Sequence, residues 1–191
     1  MQRVTPTARK KLYQFYNKWK ACTSCNLHEN KRNYVFWRGE LPCRFLFIGE
    51  APGEVEDLRG YPFVGPSGDY LQSIIDEAEL REYAITNVVC CCPLKDLMSR
   101  KIRQPDKTEI EACSDRLIHF IQVSQPNHIF LVGKVAQSTR KTLHKSNPEV
   151  RLHDWHHPAY LLRQSDEKRE VEFSKMVAHL EYLKQMEEEN Y

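Results

Sequence analysis

The sequence predicts an α/β fold: a three-layer α/β/α sandwich with a central, mainly parallel four-stranded sheet. Two observations carry that expectation. Single short strands alternate with helices along the chain, the order of a parallel sheet covered on both faces. The strand-like runs, RFLFIG at 44–49 above all, are short and apolar, as burial on both faces requires. A length of 191 residues with 41% hydrophobic content is enough for one well-buried core, and no repeat, low-complexity tract or linker interrupts it. One domain over residues 1–191, opening with a cysteine-bearing helical segment, is therefore expected.

Taken in order, residues 7–20 place Leu12, Phe15, Tyr16 and Trp19 at helical spacing among Lys, Arg and Gln, an amphipathic helix ending just before Cys22. The apolar run 44–49 is the first strand, and a loop is expected from Glu50 to Pro66. Residues 68–80 carry Leu71, Ile74, Ile75 and Ala78 on one helical side, and 83–89 reads as the second strand. Asp106 after Pro105, with Glu109 three positions on, predicts a capping box opening a third helix. Residues 128–132 form the third strand and lead through Gly133 into a helix near 134–144. The fourth strand falls around 150–155, and 166–188 is a long closing helix whose acidic tail EEEN is expected to be a frayed end. Ligands of such sheets bind beyond the carboxyl ends of the strands, where Glu50, Asn87 and the loop holding His157 fall.

A net charge of +2 is too mild to announce a nucleic-acid partner. The basic cluster Lys95, Arg100, Lys101, Arg103 and Lys107 is either a solvated loop or a phosphate-contacting edge, and charge alone does not choose. No stretch approaches the ~20 apolar residues of a membrane span, and MQRVTPTARKK lacks the apolar core of a secretion signal. The expectation is a soluble, cytoplasmic monomer. Seven cysteines in such a compartment argue against a disulfide framework. Cys22 and Cys25 form a CxxC pair, which alone serves equally as a zinc half-site, a redox motif or a cluster half-site.

The segment GEAPGEVEDLRGYPFVGPSG, residues 49–68, holds five glycines, three prolines and four acidic residues, too punctuated for a core element. It lacks the lysine of a P-loop and the glycine spacing of a dinucleotide fingerprint, and its carboxylates repel phosphate. GEAPGEVED followed by GYPFVGPSG instead resembles the first signature of the family 4 uracil-DNA glycosylases. ITNVV at 85–89, EIEAC at 109–113 and HPAYLLR at 157–163 resemble the later motifs of that family, in order. With the Cys pair before them, the resemblance covers roughly residues 20 to 165.

The resemblance implies an enzyme that removes uracil or a related damaged base from DNA in base excision repair, holding a [4Fe-4S] cluster on Cys22, Cys25, Cys91 and Cys113. Four thiolates suit zinc as well as iron-sulfur, so the cluster comes from the family and not from ligand count. Where the family shows a basic residue on each side of the third ligand, this chain has Cys90 and Cys92, which leaves a shifted ligand open. In an extended segment both would point away from whatever Cys91 faces. Cys43 reads as a small buried residue.

For the chemistry, the resemblance implies a base flipped out of the duplex into a pocket. Phe63 would stack on it; a core aromatic is the plain alternative. Asn87 would read its edge with an amide, against the common use of Asn as a turn cap. His157, directly before Pro158, would stabilise the departing base, with His156 beside it as the ambiguity. Glu50 and Glu56 are the carboxylates to stabilise the sugar cation or orient water, with Asp57 a lesser candidate whose plain reading is structural. Ala51 and Gly53 stand where the best-known branch of the superfamily has Asp and Tyr, and Ala51 joins the substrate-binding set. No lysine falls within the motifs, so hydrolysis to an abasic site without strand cleavage is expected. Leu161, Leu162 and Arg163 would wedge the minor groove, or else the leucines simply begin a helix. Arg100, Lys101 and Arg103 would contact DNA, and SRKIRQP, lacking a His, implies no stable self-crosslinking. Two alternatives stand beside this: a glycosylase of the same fold acting on a modified cytosine or other pyrimidine, and a non-catalytic metal-stabilised DNA-binding module. No HExxH-type constellation supports a zinc hydrolase.

Overall fold

The computed structural model describes residues 6–96, 98 and 100–189. The first five residues of the MQRVTPTARKK stretch, Leu97 and Ser99 of the basic segment, Asn190 of the EEEN tail and Tyr191 lie outside them.

The elements run α1 (Pro6–Trp19), α2 (Leu27–Asn30), β1 (Arg38–Gly39), β2 (Phe45–Gly49), α3 (Glu54–Arg59), α4 (Pro66–Glu77), β3 (Tyr83–Asn87), β4 (Leu94–Asp96), β5 (Lys101–Ile102) and α5 (Lys107–Ser124). They continue with β6 (His128–Val132), α6 (Lys134–Ser138), α7 (Arg140–Ser146), β7 (Arg151–Trp155), α8 (Pro158–Leu161) and α9 (Asp166–Glu189). Among the described residues one sheet has the order β1-β3-β2-β6-β7. β3, β2, β6 and β7 are mutually parallel, the four expected strands, and β1 adds an antiparallel edge. No helix among them is long and apolar enough to cross a membrane.

Strand alternation sorts the core into two layers. Leu46 and Ile48 of β2, with Ala84, Ile129 and Leu131, pack under Phe15 and Trp19 of α1 and Leu117 and Phe120 of α5. Phe45 and Phe47, with Ile85, Phe130 and Val132, pack under α4 and under Met176, Val177 and Leu180 of α9. The sandwich is therefore closed by side chains from both ends of the sequence.

Several local expectations change. The edge strand β1 carries no apolar pattern; Gly39 at φ +99° is required there, because a Cβ would lie 2.4 Å from the Tyr83 carbonyl oxygen. The Glu50–Pro66 loop contains α3, which begins after Gly53 and ends at Gly60 in the left-handed region. The helix near 134–144 is two, divided at Thr139, whose hydroxyl donates to Ala136 O at 2.7 Å. The second strand stops at Asn87 rather than Val89.

The Asp106 capping box forms as expected, with Asp106 Oδ1 accepting from Glu109 N (2.9 Å) and Glu109 Oε2 accepting from Asp106 N (2.8 Å). The EEEN tail is not simply frayed: Glu187 is buried, accepts from Arg151 Nη1 at 3.0 Å and from Asn127, and meets His128 Nε2 at 3.1 Å. That network ties the end of α9 to the starts of β6 and β7.

Candidate active site

The carboxyl ends of β2, β3, β6 and β7 open into a cleft of about 980 Å³ whose walls include Glu50, Ala51, Phe63, Asn87 and His157. Glycines make that convergence sterically possible. A Cβ on Gly49, the last residue of β2, would lie 2.4 Å from Phe63 Cε2 and 2.5 Å from Asn87 Oδ1, so ring and amide meet directly over bare backbone. Gly133, at φ +92°, makes the same room at the end of β6, where a Cβ would lie 2.9 Å from His157 Cβ. Phe63 itself has φ +53°, and Gly68 accommodates that bend, since a Cβ there would overlap the Phe63 carbonyl at 1.9 Å. The Phe63 and His157 rings are 5.9 Å apart between centroids.

Asn87 is 1% exposed, yet its Oδ1 has no hydrogen-bond partner. A buried unpaired amide oxygen is costly and uncommon, and this one belongs to a residue of the cleft wall. His157 Nδ1 accepts from Ala159 N at 3.1 Å, which puts the proton of the neutral ring on Nε2. Burial, and then the charge of Arg163, hold its pKa below the ordinary histidine value, so the neutral Nε2–H donor dominates at neutral pH.

The carboxylates divide. Glu50 Oε2 accepts from Gln104 Nε2 at 3.3 Å; burial raises its pKa and that contact opposes the rise. Glu56 Oε1 accepts from Val64 N at 3.2 Å, so this carboxylate ties down the loop carrying Phe63. Asp57 is fully buried, accepts from Arg32 N and Asn33 N at 2.9 and 3.2 Å, and pairs with Arg100 Nη2 at 2.6 Å. Sequence reasoning missed Gln104, Lys134 and Gln137, which line the cleft outside the motifs; only the position of Lys134, directly after the strand-ending Gly133, signalled it.

A second, much smaller cavity is bordered by Cys22, Cys25, Cys91 and Cys113, and also by Cys90. Cys90 Sγ is 4.0 Å from both Cys91 Sγ and Cys113 Sγ. The expectation that Cys90 points away from Cys91 fails because strand alternation ends with β3 at Asn87, and the following bend turns both inward. Cys92 does face elsewhere, toward Asp57 and Arg100. Cys43 is buried in the core with its thiol pushed up to about 12. Among the described residues no three His, Cys, Asp or Glu side chains converge tightly enough to hold a single metal ion. The cysteines around this recess are a set of thiol donors that suits a thiolate-ligated metal group, zinc or iron-sulfur alike.

The sequence profile of the Uracil DNA glycosylase superfamily matches residues 36–181. The chain belongs to the uracil-DNA glycosylase superfamily. It is 36% identical over 171 residues to a type-4 uracil-DNA glycosylase of Thermotoga maritima, covering 80% of this chain and 84% of that one. It is 38% identical over 118 residues to a type-4 uracil-DNA glycosylase of Archaeoglobus fulgidus, covering 61% of this chain and 56% of that protein. The crystal structure of SMUG2 from Pedobacter heparinus shares the fold at TM-score 0.61 with 14% identity, covering 93% of this chain and 98% of that one.

Within the superfamily match lie every cleft residue named above together with Cys91 and Cys113; Cys22 and Cys25 precede it. For this glycosylase-superfamily chain the expected DNA contacts sort by exposure. Leu161 is a correction: its side chain is fully buried in the core against α4 and α9 and reaches no groove. Leu162 and Arg163 are exposed, and Arg163 lines the cleft. Arg100 is turned inward, its side chain 17% exposed and paired with Asp57 and with Glu54 at 3.2 Å. Arg103 forks onto Glu109 at 2.6 and 2.8 Å. Lys101 of β5 is exposed beside Ile102 at the cleft rim.

Proposed function

We propose that the protein is a monofunctional DNA glycosylase that extrudes uracil into the cleft and hydrolyses its N-glycosidic bond. The observation that carries this is the unpaired Oδ1 of buried Asn87 beside the Phe63 ring. Uracil's imide N3–H is the donor that oxygen lacks, and the same amide's Nδ2 donates to the adjacent O4 while Phe63 stacks on the base. The neutral His157 Nε2–H donates to O2, where negative charge gathers as the bond to the sugar breaks. Glu50 faces the cationic sugar and orients water, and Glu56 acts by positioning the Phe63 loop. Asn87 by itself does not fix uracil uniquely, because a rotated amide donates from Nδ2 to cytosine N3 and accepts the 4-amino hydrogen on Oδ1. The exposed cations Lys101, Lys134 and Arg163 meet the backbone phosphates, and Leu162 supports the opened duplex.

Cys22, Cys25, Cys91 and Cys113 would hold a [4Fe-4S] cluster, which would crosslink the α2 region, the end of β3 and α5 and do no chemistry on the base. Stoichiometric zinc without sulfide in anaerobically purified protein would overturn the iron-sulfur cluster. For the activity, oligonucleotides carrying single uracil, hypoxanthine or modified cytosine are incubated with protein and then treated with alkali. Strand breaks at uracil are expected. Breaks only at modified cytosine would transfer the activity to that base, and breaks at none would leave a DNA-binding module.

A further inference from the structure

Arg116 lies one turn beyond Cys113 on α5 and heads the largest fully buried side chains, at 1% exposure. A guanidinium stays charged in a protein, and a buried charge requires a partner. Among the described residues no carboxylate pairs with it. Cys113 stands three positions before it on the same face of α5, and Cys90 Sγ lies 4.0 Å from Cys113 Sγ. The Arg116 Nε has no hydrogen-bond partner.

The other end of the guanidinium grips the end of β3. Nη2 donates to the carbonyls of Asn87 and Val88, both at 2.6 Å, and Nη1 donates to Thr86 Oγ1 at 3.2 Å. Those are the last two residues of β3 and the residue after it. Val88 N and Val89 N in turn donate to Gly49 O and Glu50 O at 2.9 and 3.2 Å, so this short backbone stretch forms the floor on which the Asn87 amide stands.

We infer that Arg116 is a positioning residue joining the two sites: the anionic thiolate cluster is its counter-charge, and its fork fixes the backbone that aims Asn87 into the cleft. This rests on the proposed uracil excision for its activity readout and on the cluster for its charge. Loss of the cluster then loosens base recognition although, among the described residues, no sulfur borders the cleft.

The test uses anaerobically purified holoprotein, with wild type, Arg116→Met, Asn87→Ala and the double variant. Arg116→Met is expected to retain iron and sulfide, to speed amide exchange at Val88 and Val89 at least about tenfold while Ile129 and Leu131 are unchanged, and to lose on the order of 30- to 100-fold in uracil excision. Adding it to Asn87→Ala should cost less than about threefold more, because both changes act through one amide. Stripping the cluster from wild type should produce the same local rise in exchange, with no further rise in Arg116→Met. Multiplicative losses in the double variant, or unchanged exchange at Val88 and Val89 in Arg116→Met or on stripping, would overturn the inference, as would wild type lacking iron and sulfide. If Arg116→Met does not fold, Arg116→Lys, which keeps the charge but not the fork, is carried through the same cycle under the same criteria. Wild type that holds the cluster but releases no uracil would defeat the reading of function, while the exchange comparison still decides Arg116.

Discussion

Gly49→Ala tests the cleft through a single added methyl. Gly49 is not in the left-handed region, so the backbone accepts alanine and any effect comes from crowding. The new Cβ would lie 2.4 and 2.6 Å from Phe63 Cε2 and Cζ and 2.5 Å from Asn87 Oδ1, where ordinary contact begins at 3.4 Å. Both side chains must therefore retreat by about 1 Å, and a misplacement of that size costs about 10²-fold in a reaction that depends on alignment. Overpacking of this kind typically destabilises by ~1–3 kcal/mol, too little to unfold a domain of ordinary stability. The expected outcome is about 100-fold slower single-turnover release of uracil, with a native circular dichroism spectrum. Gly65→Ala is the control in the same loop, since its Cβ would only touch Glu56 Oε1 at 3.4 Å. Activity of Gly49→Ala within threefold of wild type, or equal damage from Gly65→Ala, would refute the idea that this glycine sets the meeting of ring and amide.

Three further outcomes are expected. His157→Ala should lower kcat on the order of 10²- to 10³-fold with little change in KM, because its donor acts as charge develops on the base; a loss confined to KM would contradict that role. Arg100→Ala should destabilise the fold by about 2–4 kcal/mol in urea titration by leaving Asp57 buried without its cation, with duplex affinity nearly unchanged, whereas Lys101→Ala should do the reverse. Burial, and then neighbouring imidazoles and arginines, push His153 down to about 4, and burial likewise lowers His128 and His179. With folded values below the ordinary value of about 6.5, the unfolded chain takes up these protons first. Their contribution is complete above about pH 6.5 and declines as pH falls toward about 4, so the urea midpoint should drop across that window, and a flat midpoint would be inconsistent with neutral buried rings.

What the sequence made legible and what it hid follow from the range of the forces involved. RFLFIG and the Asp106–Glu109 box are local patterns, and both appear where they were expected. The meeting of Phe63, Asn87 and His157 was reached through the resemblance, and in the structure it depends on Gly49 and Gly133, whose roles are steric and visible only once the strands are side by side. Arg38–Gly39 became a strand because an edge of β3 was open, with no apolar period of its own. Cys90 turned inward because β3 stopped two residues early. Arg100 looked like a phosphate ligand until Asp57, far away in sequence, claimed it, and Leu161 looked like a wedge until α4 and α9 covered it. Glu187 looked like tail and proved to be a buried partner of His128 and Arg151. For Arg38–Gly39, Arg100, Leu161 and Glu187 a long-range partner overrode a local cue.

The central claim is met most directly by a crystal structure of the protein with free uracil. The base is expected flat against Phe63, with N3–H on Asn87 Oδ1 and O2 on His157 Nε2. Uracil seated elsewhere, or an Asn87 Oδ1 still without a partner while the base occupies the cleft, would contradict it.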